Sequence, residues 1–238
     1  MRNTLDRRQR LRQATIEEIK ATARQQIATD GATSLSLGAI ARAMGMTPPA
    51  LYRYFKNRDA LVAALIIEAY DSMAGALEQA VGEQAQGDFA GRFHALMRTY
   101  RQWAIAHAQE YALMFGAPLA NLELAGAELG RSTMRNLRVM VQLFRAALDA
   151  GCLVIPQQYL APPPAMRQAL VAMRSALGSE GLPLSVLALS FTTWLHAHGL
   201  VWEELHGHLP KFLFSSGELY EMEIRVVAER LGLTTAKD

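Results

Sequence analysis

The stretch MGMTPPALYRYFKNRDAL, residues 44–61, decides how this chain is read. Two adjacent prolines stand in a sequence whose apolar spacing is otherwise helical, and aromatic and basic side chains interleave directly after them. Thr47 can cap a helix that begins at Pro48 and Pro49, because the N–H groups of a first turn have no helical acceptor and proline loses nothing by lacking one. The prolines therefore start a short helix, expected over residues 48–55. On a wheel of about 100° per residue, Leu51 and Phe55 share an inward face. Pro49, Ala50 and Arg53 point away, and Tyr52 and Tyr54 flank. A purely structural aromatic stripe would put the tyrosines on the Leu51 face, where they are not. An outward arginine between two tyrosines suits a DNA major groove, where Arg can pair with guanine and Tyr hydroxyls can bond phosphates. Lys56 and Arg58 follow where backbone phosphates would lie.

The flanking sequence supplies the rest of a small bundle. Leu11, Ile16, Ile19, Ala23 and Ile27 repeat at helical spacing over residues 8–29, and Gly31 can take the positive φ that ends the helix. Ser34 and Ser36 are candidate N-caps for a short helix over residues 37–44. Gly45 then permits the turn. Two short helices joined by a Gly-containing turn have the spacing of a helix-turn-helix, with Ile40, Ala41, Met44, Met46, Leu51 and Phe55 as its apolar core. Asn57 or Asp59 opens a long apolar-striped helix through Leu77.

Charge is segregated along the chain. Residues 1–60 carry 11 Lys and Arg against 5 Asp and Glu, a net of +6, whereas residues 61–238 carry 13 against 17, a net of −4. A basic first quarter on a chain of net charge +2 points to a polyanionic partner for that end, the alternative being a solvated basic tail. Half the residues are apolar, Leu, Ala and Met dominate, and β-branched runs are scarce, which favours an all-α protein. No run reaches the roughly 18 apolar residues of a membrane span. The charged MRNTLDRRQRLRQ segment has no apolar core behind it, so no secretory signal is expected. A single cysteine, Cys152, excludes an intramolecular disulfide, fits a cytoplasmic protein and is expected to be a buried thiol.

The stretch SLSLGAIARAMGMTPPALYRYFKNRDALVAAL resembles the DNA-binding domain of the tetracycline-repressor (TetR) family over about residues 10–75. The resemblance is carried by Ala41, Gly45, Met46, Thr47, Leu51, Tyr52, Tyr54, Phe55, Lys56, Asn57 and Leu61. It implies an all-helical homodimeric regulator with an N-terminal reader of double-stranded DNA, residues 1–60, and a C-terminal ligand-binding and dimerisation domain, residues 61–238. Expected DNA contacts are Ser36, Thr47, Pro48, Pro49, Ala50, Tyr52, Arg53, Tyr54, Lys56 and Arg58. Gly38 and the two prolines depart from the family pattern at positions that are often polar, which shifts base reading toward Arg53 and Thr47.

Beyond residue 80, helices are expected over residues 89–107, 109–115, 121–150, 165–177, 183–206 and 216–231, with an exposed proline-rich loop at 153–164. The element FTTWLHAHGLVWEELHGHL, residues 191–209, resembles the Trp-x-x-x-His-Gly signature of one C-terminal subclass of the same family, through Trp194, His198 and Gly199. That resemblance assigns the last two helices to a four-helix dimer interface. It also places a small-molecule effector, apolar or amphipathic, among the central helices. Trp103, His107, Tyr111, Met114, Phe115, Met140, Phe144 and Trp194 are the candidate contacts, although each taken singly reads as core rather than ligand contact and only the set suits a deformable apolar pocket. The pairs His196/His198 and His206/His208 point roughly 200° apart on a helix, so no metal site is expected, and His198 reads as a packed, hydrogen-bonded histidine. No Ser-His-Asp set or Gly-rich phosphate loop is present, so neither enzyme activity nor a cofactor is expected. A helical dimer that binds small molecules without an operator is the competing expectation.

Overall fold

The computed structural model describes residues 2–116, 126–207 and 217–233, which form ten α-helices and two short 3-10 turns, with no strand among the described residues. The chain divides into two compact units, Met1–Ala69 with Gln109–Leu129, and Tyr70–Ala108 with Gly130–Asp238.

In the first unit, α1 (Arg2–Asp30) starts six residues before the expected helix. Its buried apolar side chains are Ile19, Ala23 and Ile27, one face at steps of four. The Gly31 N–H closes the helix on the Ile27 carbonyl at 2.9 Å, with φ at +82°. Ser36 then caps α2 (Leu37–Ala43) by accepting from the Ala39 N–H. The turn after α2 is locked by the Met46 N–H on the Ala41 carbonyl at 2.8 Å and by a left-handed Gly45 at φ +65°. Helix α3 (Pro48–Tyr52) has five residues and starts on its prolines after an extended Thr47, as expected. It ends three residues earlier than the expected Phe55. Residues 53–55 continue as a closing turn, in which the N–H groups of Tyr54 and Phe55 both bond the Leu51 carbonyl. Asn57 caps α4 (Arg58–Gly82) through its Oδ1, which accepts from the Ala60 N–H at 2.8 Å.

The core of this unit joins α1 residues to Leu35, Leu37, Ile40, Ala41, Leu51, Phe55, Leu61 and Leu65. Lys20, 6% exposed, is tolerated beside it because its ammonium donates to Glu17 at 2.9 Å and also to Glu68 of α4. Burial works to lower the Lys20 pKa, but these hydrogen bonds outweigh it and the net shift is upward. Helix α6 (Ala108–Gly116), with Tyr111, Leu113 and Met114 buried, belongs to this unit.

The second unit contains α5 (Phe89–Ala106), most of α7 (Gly126–Asp149), α8 (Pro164–Ala176), α9 (Leu184–His206) and α10 (Glu218–Arg230), together with α4 from Tyr70 on. Asp88 caps α5 through the Gly91 N–H at 2.8 Å. Helix α7 buries Met140, Leu143, Phe144 and Ala147 on one face, and Phe144 stacks on Phe93 at 5.9 Å. Asn136 of α7 donates to the Tyr70 carbonyl at 3.0 Å, and Arg135 forms a bidentate pair with Glu78. Helix α5 is held to α9 by the pair Arg101–Glu204, and to α10 by Arg98–Glu221 and by the Tyr220 hydroxyl, which donates to the Met97 carbonyl at 2.8 Å.

The helix expected from Asn121 is described only from Gly126, and residues 121–125 and Ser216 lie outside the described residues. The 153–164 segment is largely exposed, as expected, but it is anchored at several points. Leu153 is buried, Gln157–Tyr159 form a 3-10 turn, and the Val154 N–H bonds the Leu231 carbonyl at 2.7 Å. Cys152, expected to be buried, is half-exposed, because it follows the left-handed Gly151 that turns the chain out of α7. Helices α4 and α9 are long and apolar enough to cross a membrane, yet about half of each apolar window is buried inside the protein (56% and 44%). Core packing accounts for their composition.

His198 accepts the role expected of it: its Nδ1 lies 3.3 Å from the Tyr100 hydroxyl and its ring stacks on Trp194. Burial holds the His198 imidazole below the ordinary value of 6.5, and burial with the nearby Arg98 charge does the same for His94. The unfolded chain therefore binds more protons than the native one as pH falls below 6.5, and native stability falls with it through the depressed native values. Denaturation midpoints should drop between neutral and mildly acidic pH. His198→Asn, which keeps an acceptor for Tyr100 but cannot titrate, should flatten that dependence while lowering stability at neutral pH by about 1 kcal/mol for the lost stacking.

Candidate nucleic-acid interface

A five-residue helix cannot hold its own shape in water, because nucleation costs more than one turn of hydrogen bonds returns. Helix α3 is fixed instead by what it buries. Leu51 is 0% exposed and Phe55 is 8% exposed. Complete burial of a leucine side chain contributes about 1.5–3 kcal/mol. With that face committed, the remaining side chains are directed outward as the wheel predicts. Thr47, Pro48, Pro49, Arg53 and Lys56 are exposed, and Tyr52 is 53% exposed. Ala50 and Tyr54 are half-buried. The Thr47 side chain makes no cap bond to α3, which leaves its hydroxyl available at the outer surface.

Two of the ten candidates already have work within the protein. Ser36 Oγ accepts from the Ala39 N–H as the α2 cap. Arg58 differs more from its expected place beside phosphates. Its Nε donates to the Leu35 carbonyl at 3.1 Å and its Nη2 to the Ala32 carbonyl at 2.7 Å, bracing the 3-10 turn Ala32–Ser34 against the start of α4. The carbonyls that capture it lie 23 and 26 residues away in sequence, beyond the reach of a local pattern.

One feature of this face comes from outside the helix-turn-helix. Arg12 of α1 places its guanidinium over the Tyr54 ring, 5.3 Å from the centroid, and its Nη2 reaches the Arg53 carbonyl at 3.5 Å. Arg8, Leu11, Arg12 and Thr15 form one wall of a cleft of about 340 Å³, and Arg53 and Tyr54 form the other. The RRQRLR run was the available signal, but as a charge run without apolar partners it resembles a tail.

The eight effector candidates separate between the units. Tyr111, Met114 and Phe115 belong to the first, where Tyr111 and Phe115 lie 4.7 Å apart, ring to ring. Trp103, His107, Met140, Phe144 and Trp194 belong to the second. There Trp103 stacks on His107 at 4.5 Å and donates its indole N–H to Ser72 Oγ at 3.2 Å, while Met140 and Phe144 are packed core. Among the described residues, no three His, Cys, Asp or Glu side chains converge as a metal site would require.

Comparison with known proteins places this geometry. The profile of the tetracycline-repressor-like C-terminal domain matches residues 93–227, and that of the bacterial regulatory proteins of the tetR family matches residues 19–65. A crystal structure of a candidate regulatory protein, SCO4313, is 34% identical, covers 93% of this chain and 98% of its own, and superposes with a TM-score of 0.70. The HTH-type transcriptional regulator Rv1816 of Mycobacterium tuberculosis is 26% identical over 86% of each chain. A protein of unknown function from Rhodococcus sp. RHA1 shares the fold, with a TM-score of 0.66 at 22% identity over 91% of this chain and 95% of its own.

Arg58→Ala should lower stability by roughly 1.5–3 kcal/mol, the net range for hydrogen bonds that involve a charged group. It should leave the salt dependence of any DNA binding unchanged. Thermal melts beside binding isotherms at several salt concentrations separate the two effects.

Proposed function

We propose that this chain, which belongs to the TetR family of bacterial regulatory proteins and is a DNA-binding transcriptional regulator, acts in the cytoplasm as a repressor that a small molecule releases from its operator. The observation that carries the reading is the outward surface of α3 and the turn after it, where Tyr52, Arg53 and Lys56 stand exposed while Leu51 and Phe55 are buried. Arg53 reads base edges, Tyr52 and Lys56 bond phosphates, and Thr47, Pro49 and Ala50 line the approach to the groove, where apolar contact with thymine methyl groups compensates for missing polar readers. Two such readers on a homodimer address a palindromic site with half-sites about one helical turn apart.

Dimerisation uses α9 and α10. Leu195 on the first and Met222 on the second are large apolar side chains left exposed in the single chain, which supports this assignment. The effector is apolar or amphipathic and is bound among the aromatic and methionine residues of the C-terminal helices. Release requires that it prefer the conformation that cannot bind DNA, since equal affinity for both conformations shifts nothing.

Binding isotherms on duplex DNA at several salt concentrations test the reading. Tyr52→Phe should weaken binding to all sequences. Lys56→Ala should weaken it uniformly and reduce the slope of log affinity against log salt by about one unit. Arg53→Ala should also relax the preference among sequences by about 1–3 kcal/mol at the base pair it contacts. Intact affinity and preference in Arg53→Ala would refute α3 as the reader. A chain with no affinity for random DNA at low salt would favour a small-molecule-binding dimer without operator function.

A further inference from the structure

The first turns of α1 have no structural task that the bundle requires. Buried positions on this helix begin at Ile19, and Arg7 through Ala14 are all exposed, including Leu11 at 60%. The family profile for the DNA-binding domain likewise begins at residue 19. Arg8 stands eleven residues before Ile19, about 16 Å further along the helix axis. A helical arm with no packed face gains little stability from tertiary contacts, so its side-chain chemistry calls for another explanation.

That chemistry is one-sided. Arg8 and Arg12 are four residues apart and share a face of α1. They line the same cleft as Arg53, the outward arginine of the reader segment, so three arginines border it and no carboxylate residue is in its lining. Arg12 is oriented by Tyr54 and the Arg53 carbonyl, while Arg8 has no partner among the described residues. Three like charges around one open cleft repel one another unless an anion occupies it. Residues on the other faces of the arm, such as Arg7, do not line the cleft.

From this arrangement we infer that the amino-terminal arm of α1 is a second DNA-contacting element, with Arg8 and Arg12 bonding backbone phosphates next to the base pairs that α3 reads. The inference rests on the DNA-binding reading above and extends it to a part of the chain outside the family's DNA-binding profile. Phosphate contacts carry no sequence information, so the arm adds affinity and register and leaves base preference to α3.

The test uses the full chain with Arg8→Gln, Arg8→Gln/Arg12→Gln and, as control, Arg7→Gln, all at exposed positions. Affinities for a preferred duplex and for a random duplex are measured across salt concentrations. Arg8→Gln should lower the salt slope by about one unit and the double variant by about two. Both duplexes should be weakened by the same factor, and Arg7→Gln should keep the parental slope. Unchanged slopes in the double variant, with Lys56→Ala still lowering its own, would overturn the arm while leaving the α3 reader standing. Equal loss in Arg7→Gln and Arg8→Gln would also overturn it, since diffuse charge would then explain the effect. If the parental chain binds neither duplex, the DNA-binding reading fails first and the arm with it.

Discussion

The burial of Leu51 and Phe55 is the constraint on which the outward surface around helix α3 depends. Helix α3 has only five residues, too few to be stable on backbone hydrogen bonding alone. Three local devices specify it instead. Two prolines preset the first turn, an extended Thr47 admits the chain, and two apolar side chains tie the short segment to Ile40, Ala41 and the rest of the bundle core. Because the inward face is fixed, the outward one is fixed as well. Tyr52, Arg53 and Lys56 are presented as a consequence of where Leu51 and Phe55 go.

Helix α4 is held with comparable care within each compact unit. In the first, Glu68 receives Lys20 and Arg24 from α1. In the second, the Tyr70 carbonyl is bonded by Asn136, Asp71 and Glu78 by Arg135, and Ser72 by the Trp103 indole. The exposed members of this set are worth little singly. The Asn136 contact is buried, and losing it would strand a carboxamide without its acceptor, which costs more than the bond itself contributes. Such contacts fix the position of the helix along its axis as well as its packing.

Much of this was legible in the sequence wherever the signal was local. The left-handed Gly45 and the proline start of α3 follow from residue chemistry within a few positions and appear in the structure, which also selects Ser36 over Ser34 and Asn57 over Asp59 as the helix caps the sequence left open. The features that were not legible are set by distant partners. Arg58 turns to carbonyls at positions 32 and 35. Helix α6 joins the first unit although it follows α5 directly in sequence. Helix α3 ends at Tyr52, after which the Arg53 N–H bonds the Ala50 carbonyl and those of Tyr54 and Phe55 bond the Leu51 carbonyl in a closing turn. The pairing of Arg12 with Tyr54 joins positions 42 residues apart by number, so a basic run that looks like a tail becomes one wall of a cleft.

In the proposed function, one outward surface around α3, carried twice on a symmetric dimer, recognises a defined DNA sequence. Selection of bound duplexes from a random pool by the full chain tests it most directly. The expected result is enrichment of a palindrome whose half-sites are centred about one helical turn apart, with the enrichment at the positions facing α3 lost in Arg53→Ala. Recovery of unrelated sequences with no shared half-site, or of a motif that Arg53→Ala selects equally well, would contradict it.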